Sequence, residues 1–344
     1  MKRTKLLVTT LLVLLLVFFS SIAIAEDAGS QTITDMAGRT VTVPQTIATL
    51  CATGQPGAVM LYTLCPEMLV AWNSELETDS LSYISETYAV LPVIGSMQGG
   101  KTAVNPETVL ALAPDVIIYM TTLTKNTAAK ADELQAQMGI PVVTVSFDLT
   151  SMGESYRFLG SILGCSEKAE TLAAFCDTLI GDIAEKAQTI AAEDQVTFYY
   201  TSGGSGLQTS PGGTNHTEMF EFVGGINVVD LPVESNGRLK VDMERILAWD
   251  PDVIIASTPA VLKSVLAWDQ VQAVTAGKAY SAPTAPFSWL DAPVSVNRLI
   301  GLCWAAEALY PDVYQYDLAA YTQEFYSLFY GYDLSPEAVD AMLN

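Results

Sequence analysis

Basic residues are scarce in this chain. Its 344 residues include 16 Lys and Arg against 38 Asp and Glu, which gives a formal net charge of −22. Nucleic-acid binding depends on Lys and Arg side chains that neutralise phosphates, so this balance argues against a nucleic-acid partner. The same negative charge opposes association with anionic lipid surfaces.

Metal-binding and paired cysteine patterns are also missing. The five cysteines are Cys51, Cys65, Cys165, Cys176 and Cys303. None of them forms a C-x-x-C pair, so the sequence does not predict a structural zinc site. An odd number leaves at least one thiol free in an exported protein. Small core residues are the simplest interpretation, and a Cys165–Cys176 or a Cys51–Cys65 bridge stays open.

Catalytic motifs are absent as well. The Gly-rich segment over residues 202–216 lacks the Gly-Lys-Ser/Thr ending of a P-loop, and Ser205 does not lie in a G-x-S-x-G elbow. A secreted α/β hydrolase is a distant alternative, because His216 is the only histidine and would be its only imidazole base. We therefore expect no enzymatic activity and no intrinsic cofactor.

The first 25 residues have the order of a secretory signal peptide. Three basic residues precede an apolar run over residues 6–24, and Ala-Ile-Ala ends at position 25. This pattern predicts cleavage after Ala25 and export to the periplasm. An uncleaved membrane anchor is the alternative, since about twenty apolar residues can span a bilayer. Cleavage would lower the formal charge from −22 to −25.

A fourteen-residue segment occurs twice in the remaining chain. Residues 105–118 (NPETVLALAPDVII) and 242–255 (DMERILAWDPDVII) are identical at eight positions, with a constant offset of 137. Each copy reads as a helix followed by a short apolar strand. A unit repeated so far apart predicts two similar α/β lobes, and a cleft between lobes is a common place for a ligand.

The pattern of strands and helices supports two lobes. Strand-like runs cover residues 47–51, 69–72, 115–120 and 141–147, and then 196–201, 227–230, 252–257 and 278–282. Apolar runs separated by helical stretches predict parallel strands in β-α-β units. We expect two Rossmann-like lobes over residues 31–165 and 194–344, starting with a hairpin over 33–43 and ending with an aromatic-rich helix after Pro311. Apolar residues at steps of three or four predict one long bridging helix over residues 166–193.

Loops at the carboxyl ends of parallel strands are where such sheets bind ligands. Here they cover residues 53–56, 95–101 and 121–125 in the first lobe, and 202–216, 258–260 and 284–291 in the second. The candidate ligand-binding residues are Gln55, Lys101, Tyr119, His216, Arg238, Phe287 and Trp289. His216 is predicted to contact a ligand or to coordinate a metal, and a surface histidine on a flexible loop is the alternative.

The other candidates also have simpler interpretations. Phe287 and Trp289 can stack on a bulky ligand, or they can pack within the lobe. An anionic ligand would need cations such as Lys101 and Arg238. The alternative for these cations is ordinary surface pairing.

Glu107 and Glu244 occupy equivalent positions in the repeat, two residues after the helix caps Asn105 and Asp242. The helix dipole favours a carboxylate in a first turn by about 0.3–1 kcal/mol, which alone could explain both. Their symmetry suggests a second role. One carboxylate would lie on the rim of each lobe, where a partner with two basic sites could bind both.

These motifs resemble a known family of exported proteins. One motif includes Gly95, Asn105-Pro106-Glu107 and Pro114-Asp115-Val116-Ile117-Ile118, and residues 242–255 repeat it. Residues 216–228 (HTEMFEFVGGINV) and the run Asn297-Arg298-Leu299 also resemble this family. It is the family of substrate-binding proteins that serve ABC importers of iron-siderophores, haem and cobalamin. The resemblance covers about residues 31–330.

The resemblance implies two α/β lobes joined by one long helix, with no lipid anchor here because no lipobox is present. It implies that Glu107 and Glu244 bind arginines of the membrane permease. The expected function is capture of an iron chelate or related metal complex by a monomeric receptor. Haem, cobalamin, and molybdate or tungstate are alternative cargoes, and an exported adhesion or scaffold protein is a further alternative.

Overall fold

The computed structural model describes residues 29–99, 103–232, 237–291 and 293–343. The predicted signal peptide over residues 1–25 and the candidate ligand residue Lys101 lie outside these ranges. Among the described residues, none of the helices combines the length and the apolar character needed to cross a membrane.

The first lobe surrounds a parallel sheet. Its helices and strands, in chain order, are β1 (Ser30–Thr34), β2 (Thr40–Pro44), β3 (Leu50–Ala52), α1 (Gln55–Leu64), α2 (Glu86–Ala89), α3 (Pro106–Leu112), β4 (Val116–Thr121), α4 (Thr127–Met138), β5 (Val142–Ser146) and α5 (Met152–Leu163). Strands β3, β4 and β5 form the parallel sheet in that order, and β1 pairs with β2 as an antiparallel hairpin.

A long helix, α6 (Ser166–Ala187), leads to the second lobe. The elements of that lobe are β6 (Thr197–Thr201), β7 (Gln208–Thr209), α7 (Glu218–Phe222), β8 (Ile226–Asn227), β9 (Leu239–Lys240), α8 (Met243–Trp249), β10 (Val253–Ala256), α9 (Pro259–Val265), α10 (Gln272–Thr275) and β11 (Ala279–Ser281). The helices α11 (Arg298–Leu309), α12 (Pro311–Tyr314), α13 (Leu318–Phe325) and α14 (Pro336–Leu343) complete the chain, with a π-helical turn at Tyr326–Tyr330.

The two sheets have the same strand order, so the predicted α/β class with two similar lobes is confirmed. In the second lobe the parallel order is β11-β10-β6-β8. The first lobe has β5-β4-β3, and Leu69 pairs with Leu50 at the position that β8 occupies in the second lobe. Helix α6 contacts α1 of the first lobe and α7, α11 and α12 of the second. It therefore joins the lobes as one rigid element.

The sequence repeat plays the same structural role in each lobe. Asn105 and Asp242 cap α3 and α8 with their side chains, and each helix ends on a residue with a left-handed backbone, Ala113 or Asp250. Two residues later, an aspartate binds the start of the neighbouring strand. Asp115 accepts the Thr49 N–H at 2.9 Å, and Asp252 accepts the Thr197 N–H at 2.8 Å.

The strands are apolar because both faces of each sheet are buried. In β4, Val116, Ile118 and Met120 face the core that includes α6, whereas Ile117 and Tyr119 face a separate cluster on the other side. Strand β10 alternates in the same way. This two-residue period places each successive side chain in a different layer, as expected for strands buried on both faces.

Two predictions need correction. Residues 69–72 form isolated bridges and no strand. Helix α6 ends at Ala187, because the Thr189 hydroxyl donates to the Lys186 carbonyl at 2.7 Å and offers the last turn a local partner. All five cysteines are free thiols, which agrees with the simplest interpretation of the sequence.

Neither cysteine bridge considered from the sequence is formed. Cys165 and Cys176 are separated by about three helical turns, which is too far for a disulfide. Cys51 and Cys65 lie in separate core clusters.

Candidate functional site

A cavity of about 420 Å³ lies between the two lobes. The first lobe contributes Gln55, Ser74, Glu75, Glu77, Asp79 and Ser80, and the second contributes Thr258, Pro259, Ala260, Thr284, Pro286, Phe287, Ser288 and Pro293. Three of these loops follow the carboxyl ends of β3, β10 and β11. The cavity therefore occupies the position where parallel α/β sheets bind ligands.

On the first-lobe side, Gln55 fixes the shape of the cavity wall. It begins α1, and its side-chain oxygen accepts the backbone N–H groups of Asn73 at 3.2 Å and Ser74 at 3.1 Å. Asn73 in turn donates to the carbonyls of Ala52 and Gly95. These hydrogen bonds join the loop after β3 to the segments around Asn73 and Gly95, which holds this wall of the cavity in one conformation.

On the second-lobe side, the loop over residues 284–291 reaches across to the first lobe. Ser80 donates its hydroxyl hydrogen to the carbonyl of Pro286. The ring of Phe287 packs against the ring of Trp72, with centroids 6.0 Å apart. These contacts close one side of the cavity.

The same loop carries Asp291 into a polar cluster around the only histidine. Asp291 is buried, and its carboxylate binds Nδ1 of His216. The hydroxyl of Tyr200 donates to the same carboxylate oxygen at 2.7 Å, and Arg238 lies 3.6 Å from it. The Tyr200 and His216 rings are nearly parallel, at 9°. We call these four residues the His216 cluster.

The hydrogen-bonding partners assign the tautomer of His216. Nε of Arg238 lies 3.4 Å from Nε2 of His216, and a guanidinium can only donate. Nε2 therefore accepts, and Nδ1 carries the hydrogen that it donates to Asp291. Histidines that bind metals show this arrangement. One ring nitrogen donates its hydrogen to a carboxylate, and the lone pair of the other nitrogen binds the metal.

Burial keeps Tyr200 protonated within the cluster. Loss of solvent, followed by the nearby charge of Asp291, raises the pKa of the Tyr200 phenol well above its ordinary value. The phenol therefore donates to Asp291 at any physiological pH. Asp291 is held by two donors, and its other oxygen is buried without a partner among the described residues.

The Gly-rich loop before His216 is held by hydrogen bonds to its own lobe. Gly206 has a positive φ of 72°, and a Cβ there would lie 2.8 Å from the Trp268 ring, so only glycine fits. The Glu221 carboxylate accepts the N–H of Gly213 at 3.0 Å. The loop thus presents His216 from a fixed backbone.

The predicted ligand residues fall into different places. Gln55 and Phe287 line the inter-lobe cavity, while His216 and Arg238 belong to the His216 cluster. Tyr119 lines a separate cavity of about 450 Å³ in the first lobe.

Trp289 is in a different environment from the one that was predicted for it. It is fully buried, and its indole N–H donates to the Tyr326 hydroxyl at 3.3 Å. Trp289 is therefore a core residue and not part of the cavity wall, because its loop turns the indole towards the C-terminal helices.

The sequence did not single out Tyr200 or Asp291 as site residues. In the sequence, Asp291 is a carboxylate close to two aromatic residues. Tyr200 lies in an apolar run that predicts a buried strand, which gives no reason to expect a site residue there. The two residues are 91 positions apart, so no local spacing relates them.

Glu107 and Glu244 are both exposed in the first turns of α3 and α8. Leu110 and Leu247, each three residues further on, are unusually exposed for leucine, at 50% and 40%. Residues three apart share a helix face. Each lobe therefore presents the same carboxylate-leucine pair to solvent.

Comparison with known proteins agrees with this architecture. A family model described as periplasmic binding protein matches residues 90–285, which is more than half of the chain. The chain belongs to this family. The family resemblance identified from the sequence motifs is thus confirmed.

Individual relatives of this periplasmic binding protein support the same conclusion. A solved ABC transporter solute binding protein from Sulfurospirillum deleyianum DSM 6946 is 30% identical, with a TM-score of 0.84 over 90% of this chain and 98% of that chain. The molybdate-binding protein MolA of Haemophilus influenzae (strain ATCC 51907 / DSM 11121 / KW20 / Rd) is 25% identical over 271 residues, covering 70% of this chain and 74% of MolA.

A third relative is the uncharacterised ABC transporter substrate-binding lipoprotein YvrC of Bacillus subtilis (strain 168). It is 27% identical over 224 residues, covering 63% of this chain and 68% of YvrC. These relatives are transport binding proteins, so this chain is a substrate-binding protein of an ABC importer and not an enzyme. Family membership implies export, and cleavage after Ala25 stays a prediction.

Proposed function

We propose that this protein captures a metal chelate, of the iron-siderophore type, and delivers it to its importer. The observation that carries this proposal is the orientation of His216. Asp291 holds Nδ1, so the lone pair of Nε2 is available for a metal ion after a shift of Arg238. A neutral, carboxylate-bound imidazole is the form that coordinates metals.

The composition of the site favours a metal that brings its own ligands. In the described part of the chain, no three His, Cys, Asp or Glu side chains converge on a point where they could hold a metal ion. A single imidazole would complete the coordination of a metal whose other positions are filled by the chelator. Arg238 would pair with the anionic oxygens that such a chelator carries.

The inter-lobe cavity shares the loop over residues 284–291 with the His216 cluster, although His216 itself is not among its lining residues, and its size fits a small chelate. Its volume of about 420 Å³ lies within the range of about 300–1,000 Å³ that is common for small-molecule sites. The Phe287 ring at its edge can pack on an aromatic chelating group.

Molybdate is the second candidate, because MolA is among the relatives. A tetrahedral oxyanion would be bound by hydrogen-bond donors and would use Arg238 together with a protonated His216. The tautomer of His216, with Nδ1 donating to Asp291 and Nε2 accepting, favours the chelate over this oxyanion.

The two cargoes can be separated by titrating the mature protein with a ferric catecholate complex and, in parallel, with sodium molybdate. Intrinsic tryptophan fluorescence and thermal unfolding report binding. A ligand at 100 times its Kd adds about 2.7 kcal/mol of stability. We expect stabilisation by the ferric complex, with affinity reduced at least about 10-fold in His216→Ala.

Tyr119→Phe is the matched control, because Tyr119 lines the separate cavity of the first lobe, and the affinity of this variant should equal the wild-type value. Stabilisation by molybdate without any response to the ferric complex would replace the chelate proposal by the oxyanion. Equal affinity of His216→Ala and the wild type for the ferric complex would remove His216 from the site.

Delivery requires a surface that the permease can bind. We propose that Glu107 and Glu244 form this surface, one on each lobe, with ion pairs to basic residues of the two permease subunits. Their equivalent positions and exposure support the assignment. Leu110 and Leu247 lie on the same helix faces and would add an apolar contact beside each ion pair.

A further inference from the structure

The loop over residues 284–291 is held through three successive carbonyls, those of Ala285, Pro286 and Phe287. The first accepts the hydroxyl hydrogen of Tyr326, and the second accepts that of Ser80. The third accepts the side-chain amide of Asn297 at 3.0 Å. Three segments that are far apart in the chain therefore fix one short stretch of backbone.

Two of these groups tie the loop to the first lobe. Ser80 belongs to that lobe, where it lies buried in a turn over Thr78–Ser82. Tyr326 belongs to the π-helical turn near the end of the chain, and its ring packs edge-on against Tyr83 of the first lobe, with centroids 5.4 Å apart. The position of the loop therefore depends on how the two lobes are arranged.

The third group has an indirect connection of the same kind. The side-chain oxygen of Asn297 accepts the hydroxyl hydrogen of Tyr330, at the other end of the π-helical turn. The Tyr330 ring packs near Tyr62 of the first lobe, with centroids 6.1 Å apart. The π-helical turn thus lies between the loop and the first lobe and contacts both.

Hydrogen bonds inside the loop make it a compact unit. The backbone N–H of Trp289 donates to the carbonyl of Pro283 at 3.1 Å, which closes the segment on itself. The N–H of Leu290 donates to the Ser288 hydroxyl at 3.1 Å. Asp291 follows directly and binds the only histidine. A displacement of the held carbonyls is therefore transmitted to Asp291.

We propose that Ser80 and Tyr326 are positioning residues of the cargo site. They contact neither His216 nor the cargo, and they act by holding the loop so that Asp291 keeps its hydrogen bond to Nδ1 of His216. This orientation leaves the lone pair on Nε2. The proposal rests on the role of the His216 cluster in cargo binding.

The origin of Ser80 in the first lobe connects this role to cargo release. A permease that binds Glu107 and Glu244, one on each lobe, and draws the lobes apart would pull Ser80 away from the loop. Asp291 would then lose its fixed position beside His216, and the imidazole would no longer hold one tautomer. Ser80→Ala imitates this loss without any movement of the lobes.

The test measures the tautomer of His216 by nitrogen NMR of the cargo-free mature protein. His216 is the only histidine, so protein without an affinity tag gives one pair of imidazole nitrogen resonances. A protonated and an unprotonated ring nitrogen have different shifts, and exchange between tautomers averages them. We expect two well-separated shifts in the wild type. In Ser80→Ala and in Tyr326→Phe the two shifts should move towards each other.

Matched variants show what this measurement detects. Ser82→Ala is the negative control, because Ser82 is exposed in the same turn as Ser80, and it should keep the wild-type shifts. Asp291→Asn is the positive control, because it removes the charge that orients Nδ1. Circular dichroism checks that each variant is folded. Since Ser80 and Tyr326 lie in different segments, either variant decides the question if the other does not fold.

Titration with the ferric catecholate complex gives a second readout. We expect the Kd of Ser80→Ala to rise about 10-fold, the low end for groups that support a metal ligand. Wild-type shifts in the folded variants, or an unchanged Kd in Ser80→Ala, would overturn the proposal. A wild-type protein that does not bind the ferric complex would refute the cargo assignment alone, because the NMR measurement contains no cargo.

Discussion

The fully buried guanidinium of Arg298 forms an ion pair with the carboxylate of Glu218. Arg298 begins α11, and Glu218 begins α7, two residues after His216. The pair therefore joins the helix that follows the His216 cluster to the helix that packs at the centre of the second lobe. A buried charge without its partner is costly, so this contact supports the position of His216.

Removal of the Glu218 charge should destabilise the fold. Glu218→Gln leaves Arg298 buried without a counter-charge, and we expect the free energy of unfolding to fall by about 3 kcal/mol. Urea denaturation measures this change. Glu337→Gln, at an exposed helix start, should change stability by less than about 0.5 kcal/mol. A similar loss in both variants would show that the ion pair has no special role.

The Asp291 carboxylate should determine the affinity for a metal chelate. Asp291→Asn removes the charge that orients His216, and mutations of such supporting groups reduce metal affinity about 10–100-fold. Titration with the ferric catecholate complex measures the loss. Tyr200→Phe keeps the His216–Asp291 hydrogen bond, so this variant should lose less affinity for the complex than Asp291→Asn does. An Asp291→Asn protein with wild-type affinity would contradict the proposed role.

Charge reversal at Glu107 and Glu244 should separate transport from binding. The double variant Glu107→Arg/Glu244→Arg is expected to abolish uptake, because it would repel the basic sites of the permease, while the Kd for the cargo stays unchanged. Transport is measured as cargo uptake by cells that lack the native protein. The Kd is measured by titrating the purified variant with the cargo.

The control for this experiment is Glu185→Arg/Glu337→Arg, which changes the same net charge at exposed positions on other helices. It should transport normally. If the docking variant instead loses cargo affinity, the two glutamates contribute to the cavity or to the fold.

Buried tyrosines should make the protein sensitive to alkali. Burial raises the pKa values of Tyr156, Tyr200 and Tyr330 well above the ordinary value of about 10. A folded-state pKa above the unfolded one means that the folded state holds its protons more tightly. The stability that this provides is complete below about pH 10 and is lost as the pH rises towards the folded-state values.

Absorbance of tyrosinate near 295 nm tests this expectation. Urea-unfolded protein should titrate all 15 tyrosines near pH 10, whereas folded protein should titrate only the exposed ones until it unfolds. Full titration of the native protein near pH 10 with unchanged circular dichroism would contradict the burial of these phenols.

Much of the fold could be predicted from local patterns. The repeated segment around Glu107 and Glu244 indicated two lobes, because each copy carries its own cap, helix and strand. The end of α6 was less predictable. Apolar residues continue the helical spacing to Ile190, but the Thr189 hydroxyl competes for a helix carbonyl.

The candidate site was harder to predict, since its residues come from distant segments. Phe287 and Trp289 look equivalent in the sequence, yet one lines the cavity and the other is in the core. A loop has no regular period, so the sequence does not show which of its side chains point into the core and which point towards the cavity. Only packing against Tyr326 decides which ring is buried.

The sequence by itself determined the class of fold, the duplicated lobes, the long connecting helix and the resemblance to importer binding proteins. Periodicity and capping encode these features, since they depend on residues a few positions apart. The tertiary structure alone decided that Asp291 and Tyr200 surround His216. Such pairs arise from the way helices and loops pack within the second lobe, where hydrogen bonds join residues 75 and 91 positions apart.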